Sequence, residues 1–132
     1  AFNYMQAASN LERIADHAHR IAQIAREYNC TLADDLKEEL MDMEVQLCGF
    51  IDDAISYLLQ TNSDKANEMI DLIREIQKSA ARITVTSDSL GKSEMLERLV
   101  LAASLERMFD YIMNIGELTI NLSHSTKQAE KG

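Results

Sequence analysis

Two acidic pairs are the residues of this sequence whose type and spacing could do chemistry. The strings LERIAD and LERMFD lie near the two ends of the chain and place Glu12 with Asp16 and Glu106 with Asp110. A Glu and an Asp four residues apart on a helix share one face, with Cβ atoms about 5–6 Å from each other. Like charges at that spacing repel by about 0.2–0.5 kcal/mol, and a bound cation would remove this penalty.

Both pairs lie beside apolar helix positions, where their negative charges need a neutralising partner. A metal ion or an arginine side chain could provide it. Carboxylates from neighbouring helices that meet at one depth would form an oxygen-rich site for iron, manganese, magnesium or calcium, with zinc a further option. Arg13 and Arg107, which directly follow the two glutamates, could instead neutralise the acids without a metal. An internal duplication is the simplest explanation for the repeated motif.

Four amphipathic helices must position these pairs. The 132 residues include no proline and four glycines, and 46% of them are hydrophobic, which favours one helical domain. Apolar residues recur every three to four positions, and this pattern predicts helices over 4–28, from about 31 to 59, from about 64 to 85 and from about 92 to 122. Short joints between such helices predict an all-α, antiparallel, up-down-up-down four-helix bundle. The polar residues 123–132 are expected to form a flexible tail.

Charge and hydropathy argue against several classes of partner. The net charge of −9 repels nucleic acid and anionic lipid. No apolar run approaches the roughly 20 residues that span a bilayer, so we expect no direct membrane insertion of this segment. The chain starts at Ala1 and helical residues follow almost at once, so we expect a fragment of a longer protein.

The two acidic copies resemble the signature helices of the PhoU family. Residues 11–21 resemble one signature and residues 105–115 a second, in which Asn114 follows the Asp by four residues as the family often has it. Arg20 stands at that place in the first copy. Residues 67–71 resemble the helix that precedes a signature, with Asn67 where an Asp is usual.

This resemblance implies a fold and a regulatory role rather than an enzyme. PhoU proteins are pairs of three-helix bundles, and the chain would cover the last helix of one half and the whole second half. The resemblance implies iron or zinc on the bundle surface and control of phosphate uptake through a membrane phosphate transporter or a sensor kinase. It also implies a cytoplasmic location at the inner face of the membrane, as in the cytosolic end of sodium/phosphate cotransporters. The ligands it nominates are Glu106, Asp110 and Asp71, then Asn114 and Asn67, then Glu12 and Asp16.

Other interpretations of the same bundle remain open. Asp16 and His19 have the spacing of a di-iron ligand pair, and His17 or His19 could accept a phosphoryl group. A metal-free module could serve oligomerisation, for example as a homodimer, or docking on a membrane transporter.

Two surface features bear on the docking interpretation. The acidic run of the second helix is most simply a solvated face, but it could also dock a basic segment; it comprises Asp34, Asp35, Glu38, Glu39, Asp42 and Glu44. The seven methionines fall on the apolar stripes, which predicts core packing, whereas exposed methionines would indicate an adaptable partner surface.

Overall fold

The computed structural model describes residues 2–27, 34–80 and 91–131. Within these ranges, four α-helices follow one another: α1 Phe2–Glu27, α2 Asp34–Gln60, α3 Ser63–Ala80 and α4 Lys92–Lys131. No strand occurs within these ranges, so the all-α prediction is confirmed. In the described part of the chain, no helix is both long and apolar enough to cross a membrane.

The predicted helix boundaries agree closely with the observed ones, except at the end of α4. The joints expected at 28–31 and 86–91 lie outside the described residues, except for the non-helical Gly91, and so does the end of the third predicted helix beyond residue 80. The tail expected to begin at residue 123 is helical, because α4 continues to Lys131 and Ser123 is buried. The flexibility of these last turns stays a prediction.

The joint between α2 and α3 shows how cap-forming side chains set the turn. The Asn62 amide donates to the Tyr57 carbonyl at 2.9 Å and the Thr61 amide donates to the Leu58 carbonyl at 3.2 Å, which is the Schellman pattern. Thr61 adopts a positive φ of 54°. The Asn62 Oδ1 then accepts a hydrogen bond from the Lys65 amide at 3.2 Å, so Asn62 caps α3.

Helix α4 is the central element of the bundle. The other three helices all pack on it, and α2 also packs on α3, giving a three-helix core of α2, α3 and α4 with α1 added. Phe109, Ile112 and Ile115 of α4 are fully buried, as is Ile73 of α3. At Gly116 the helices approach closely, because a Cβ there would lie 3.1–3.2 Å from side-chain atoms of α3.

The apolar stripe of α1 is wider than the face that the bundle covers. Ala7 and Ile14 are buried, but Met5, Ala18 and Ala22, which lie on the same apolar stripe, are exposed. Within the described residues, α1 has extensive backbone contact with α4 alone. Part of its apolar surface therefore lies outside the contacts that the described helices make. The prediction that the methionines pack in the core fails for Met5, Met41 and Met95, which are exposed.

Candidate functional site

The second acidic copy lies on α4 and faces outward beside α3. Glu106, Asp110 and Asn114 are spaced by four residues, so they share one helix face. Glu106 and Asn114 are exposed, whereas Asp110 is half-buried. This arrangement gives two carboxylates and an amide on one accessible stripe, which we call the α4 acidic face.

Gln77 of α3 holds the half-buried carboxylate of the α4 acidic face. Its Nε2 donates to Asp110 Oδ1 at 2.8 Å and to the backbone oxygen of Glu106 at 3.3 Å. The second Asp110 oxygen and the Glu106 carboxylate make no recorded ion pair or hydrogen bond in the described part of the chain. The sequence analysis did not nominate Gln77. Its signal is that Gln77 follows Ile70 and Ile73 at spacings of three and four residues, so a polar side chain stands where the helical pattern predicts an apolar one.

The other nominated residues of α3 lie on its exposed surface. Asp71 directly follows Ile70, whose side chain packs beside Gly116 of α4. The Asp71 side chain is exposed, and its Oδ1 lies 4.0 Å from Arg74 Nη1, a weak surface ion pair. Asn67 is also exposed. Neither residue has a recorded contact with Glu106 or Asp110.

Asn114 turns toward α1 rather than toward α3. Its Nδ2 donates to Asn10 Oδ1 at 3.2 Å, which leaves its own amide oxygen available as a ligand. The bond lies in a polar pocket of about 340 Å³ between α1 and α4 that also contains Arg13 and Glu117. The α4 acidic face is thus bordered by amide side chains of both neighbouring helices.

The arginines do not neutralise the acids as one sequence interpretation proposed. The Arg13 guanidinium lies over the Tyr111 ring, 5.6 Å from its centroid, which is a cation–π arrangement. Arg107 is exposed. In the described ranges neither arginine makes an ion pair with Glu12, Asp16, Glu106 or Asp110.

The first acidic copy stands apart from the second. Glu12 and Asp16 are exposed on α1 and have no recorded partner among the described residues. Nowhere in those ranges do three His, Cys, Asp or Glu side chains come together as a closed metal cage would require. Carboxylate and amide oxygens such as those of the α4 acidic face are ligand types that divalent cations accept in proteins.

The two histidines of α1 have different surroundings. The His17 ring packs 5.8 Å from the Tyr111 ring with an interplanar angle of 31°, and its Nδ1 is buried with no hydrogen-bond partner in the described structure. His19 is exposed beside Asp16. Of the two proposed phosphoacceptors, His19 is therefore the exposed one and His17 is half-buried.

A comparison with curated proteins bears on the resemblance proposed from the sequence. The chain is 26% identical over 127 residues to the phosphate-specific transport system accessory protein PhoU homolog of Clostridium acetobutylicum. The aligned region covers 92% of the chain. The predicted PhoU-like resemblance is confirmed. The similarity of this PhoU-like chain to the relative extends well beyond the two short acidic copies.

The extent of the match limits which properties of the relative can be inferred for this chain. The aligned region covers 58% of the Clostridium protein, so the chain spans less than two thirds of that relative's length. No family model and no solved structure matches the chain. The roles of individual residues in this PhoU-like chain therefore have to be argued from its own geometry.

Proposed function

We propose that the chain is a non-enzymatic, PhoU-like accessory module that regulates phosphate transport or phosphate signalling. The observation that carries this proposal is the similarity over 92% of the chain to a phosphate-specific transport system accessory protein. The all-helical fold and the two signature-like copies agree with it. Its partners would be a membrane phosphate transporter or a sensor kinase, met in the cytoplasm at the inner face of the membrane.

Metal binding at the α4 acidic face is the chemistry that we assign to this module. Glu106 and Asp110 would supply the principal ligands, because their carboxylates have no neutralising cation in the described ranges. Gln77 fixes Asp110 through one oxygen and leaves the other free, as a supporting hydrogen bond does in a metal site. The Asn114 oxygen would be a further ligand.

The remaining nominated residues have subordinate roles in this proposal. Asp71 and Asn67 on α3 would join the site if a cation drew Asp71 away from Arg74, since that ion pair is exposed and weak. Glu12 and Asp16 would form a second, weaker site, because only α1 supplies ligands there. Iron and zinc are the candidate metals because the family resemblance implies them, and an oxygen donor set also accepts manganese, magnesium or calcium.

Elemental analysis of protein purified without chelators tests the metal assignment. The native chain would be compared with Glu106→Ala/Asp110→Ala after incubation with ferrous iron, manganese or zinc. Asp64→Ala/Glu68→Ala is the matched control, because it removes another exposed acidic pair with the same spacing on α3. We expect stoichiometric metal in the native chain and in the control, and loss of that metal in the first variant. Absence of metal in all three would refute the metal assignment.

Phosphate uptake by cells that carry the whole protein tests the regulatory assignment separately. The uptake rate at high and low external phosphate would be measured with native protein, with Glu106→Ala/Asp110→Ala and with the control pair. An accessory role predicts that the metal-site variant alters the response of uptake to external phosphate. Unchanged uptake after deletion of the whole module would contradict the regulatory role itself.

A metal-free docking module is the second candidate function. It is favoured by an observation that the metal hypothesis does not use, namely a large apolar groove between α1 and α2.

A further inference from the structure

A polar pocket of about 340 Å³ lies between α1 and α4, around the hydrogen bond that joins Asn10 to Asn114. We call it the α1/α4 pocket. Seven of the eight described residues that line it are polar, and four of them are amides. Its volume lies at the lower end of the range of small-molecule sites, and its polar lining indicates a small polar ligand.

Arg13 gives the α1/α4 pocket a positive charge that no described carboxylate neutralises. Its guanidinium lies over the Tyr111 ring, 5.6 Å from the centroid, which holds it in place by a cation–π contact. It has no recorded ion pair or hydrogen bond in the described part of the chain. The N–H donors of the guanidinium are therefore available to an anion.

The asparagine pair forms a fixed centre of the pocket. The Asn10 Nδ2 donates to the Gln6 backbone oxygen at 2.8 Å, and the Asn10 Oδ1 accepts a hydrogen bond from the Asn114 Nδ2 at 3.2 Å. The second N–H of the Asn114 amide is not used by these bonds. Ser9 and Asn121 also line the pocket, and their side chains make no recorded hydrogen bond within the described ranges. The pocket thus contains several unused neutral donors.

Glu117 lies on the opposite side of the asparagine pair from Arg13. Asn10 contacts Asn114. Three residues further along α1, Arg13 contacts Tyr111, which precedes Asn114 by three residues, so the two helices are antiparallel. Arg13 and Glu117 each follow the asparagine of their own helix by three residues, about 4.5 Å of rise, and therefore in opposite directions. The Glu117 carboxylate has no recorded partner among the described residues.

The negative charge of the chain is concentrated away from this pocket. Helix α2 contributes no described residue to its lining and contains eight acidic residues and one lysine, a charge of −7 out of −9 for the chain. Helix α1 contains three acidic and three basic residues, and α4 contains six and five. The two helices that form the pocket are therefore nearly neutral and do not repel an anion as α2 does.

The pocket stays accessible when other helices cover the apolar face of α1. When the two acidic copies are aligned, Ser9 and Arg13 stand where α4 has Ala103 and Arg107. Both α4 residues are exposed although α2 and α3 pack on α4. Further helices that packed on α1 in the same way would leave Ser9 and Arg13 accessible.

We propose that the α1/α4 pocket binds inorganic phosphate. An ion held between Arg13 and Glu117 must accept hydrogen bonds at one end and donate one at the other, because an ionised carboxylate only accepts. Inorganic phosphate keeps an acidic proton at neutral pH and can do both. Sulfate carries no proton there, and a phosphate monoester, with a second pKa of about 6, is mostly unprotonated. The asparagine pair and water would bind the remaining oxygens.

The inference rests on the proposed function for its biological meaning, since phosphate bound here would let the module sense the ion whose transport it regulates. The binding itself depends on the pocket alone and needs no metal. A chain that binds no phosphate would leave the regulatory role standing. Uptake measurements after deletion of the module test that role independently of the pocket.

Isothermal titration calorimetry on the full chain, stripped of metal beforehand, tests the pocket directly. Metal is removed because a cation on the α4 acidic face could bind phosphate by itself. The titrants are inorganic phosphate, sulfate and glycerol 3-phosphate slightly above neutral pH. We expect saturable binding of one phosphate per chain. The other two ions should bind more weakly by about tenfold or more, because each lacks the proton that Glu117 accepts.

Single variants locate the bound ion. Arg13→Gln should weaken phosphate binding by about tenfold, because it removes a charge-assisted hydrogen bond, whereas Arg107→Gln, at the aligned exposed arginine, should leave it unchanged. Glu117→Gln should raise the affinity for sulfate toward that for phosphate, because an amide donates as well as accepts. Glu130→Gln removes the same charge at an exposed position of α4 and should keep the preference for phosphate. Circular dichroism would verify that all variants remain helical.

Three results would overturn the proposal. Absence of saturable binding to the metal-free chain would show that the pocket takes no phosphate. Equal binding of phosphate and sulfate would show that Glu117 does not select a protonated ion. Binding that is unchanged in Arg13→Gln, or that needs added metal and is lost in Glu106→Ala/Asp110→Ala, would place the phosphate outside the pocket.

Discussion

The two acidic copies have almost the same residues but opposite surroundings. On α4, Asp110 is half-buried and held by Gln77, and the residue before it, Phe109, is fully buried. On α1, Asp16 is exposed and follows Ala15, which lines an open groove. The motif therefore specifies a pattern of charges on a helix, whereas the neighbouring helices decide whether that pattern becomes an organised site.

The aligned positions Phe109 and Ala15 should give the largest difference between the copies. Phe109→Ala removes a fully buried ring and should destabilise the chain by about 3–5 kcal/mol. Ala15→Phe adds a ring at an exposed groove position and should change stability by less than about 1 kcal/mol. Urea unfolding followed by circular dichroism would measure both values. Comparable losses in the two variants would mean that the α1 face is packed in solution.

The aligned positions Gly116 and Ala22 test the same contrast at the helix contact. A side chain at Gly116 meets Ile70 and Met69 of α3 at about 3.1 Å, so Gly116→Leu should destabilise the chain by about 1–3 kcal/mol through overpacking. Ala22→Leu projects into the groove and should stay within about 0.5 kcal/mol of the native value. A costly Ala22→Leu in the same unfolding experiment would argue against an open groove.

The helices could be predicted from the sequence because the features that specify a helix are local. The spacing of apolar residues identifies a helix, and cap-forming residues such as Asn62 identify a turn, without reference to the rest of the chain. What escaped prediction depends on contacts between distant segments. The exposure of Ala18 and Ala22, the stacking of Arg13 on Tyr111 and the helical end of α4 are examples. The bundle was predicted, but the spacing of apolar residues alone could not indicate that α1 would pack mainly on α4 rather than on α2.

The candidate site was predicted in part for the same reason. Spacing of four correctly placed Glu106, Asp110 and Asn114 on one face, since that relation lies within a single helix. Gln77 reaches Asp110 from α3, and Asn10 reaches Asn114 from α1, and both contacts required the tertiary structure. The metal assignment stays a prediction.

Gln77 is the residue that most clearly separates Asp110 from its counterpart Asp16. Gln77→Ala removes a hydrogen bond to a half-buried carboxylate and should destabilise the metal-free chain by about 1 kcal/mol. If the α4 acidic face binds metal, the same variant should weaken that binding by about tenfold, the effect expected of a supporting residue. Unfolding and metal titration would be compared with Gln46→Ala, at an exposed position of α2. Equal effects in the two variants would remove Gln77 from the site.

The smallest expected difference concerns the arginines that follow the two glutamates. Arg13 lies over the Tyr111 ring and links α1 to α4, so Arg13→Ala should lower the free energy of unfolding by about 0.5 kcal/mol. Arg107 makes no recorded contact in the described ranges, so Arg107→Ala should leave stability unchanged. A double-mutant cycle of Arg13→Ala with Tyr111→Leu would isolate the contact. A coupling energy of zero would mean that α1 is held on α4 by apolar packing alone, and the aligned arginines would then be equivalent despite their different surroundings.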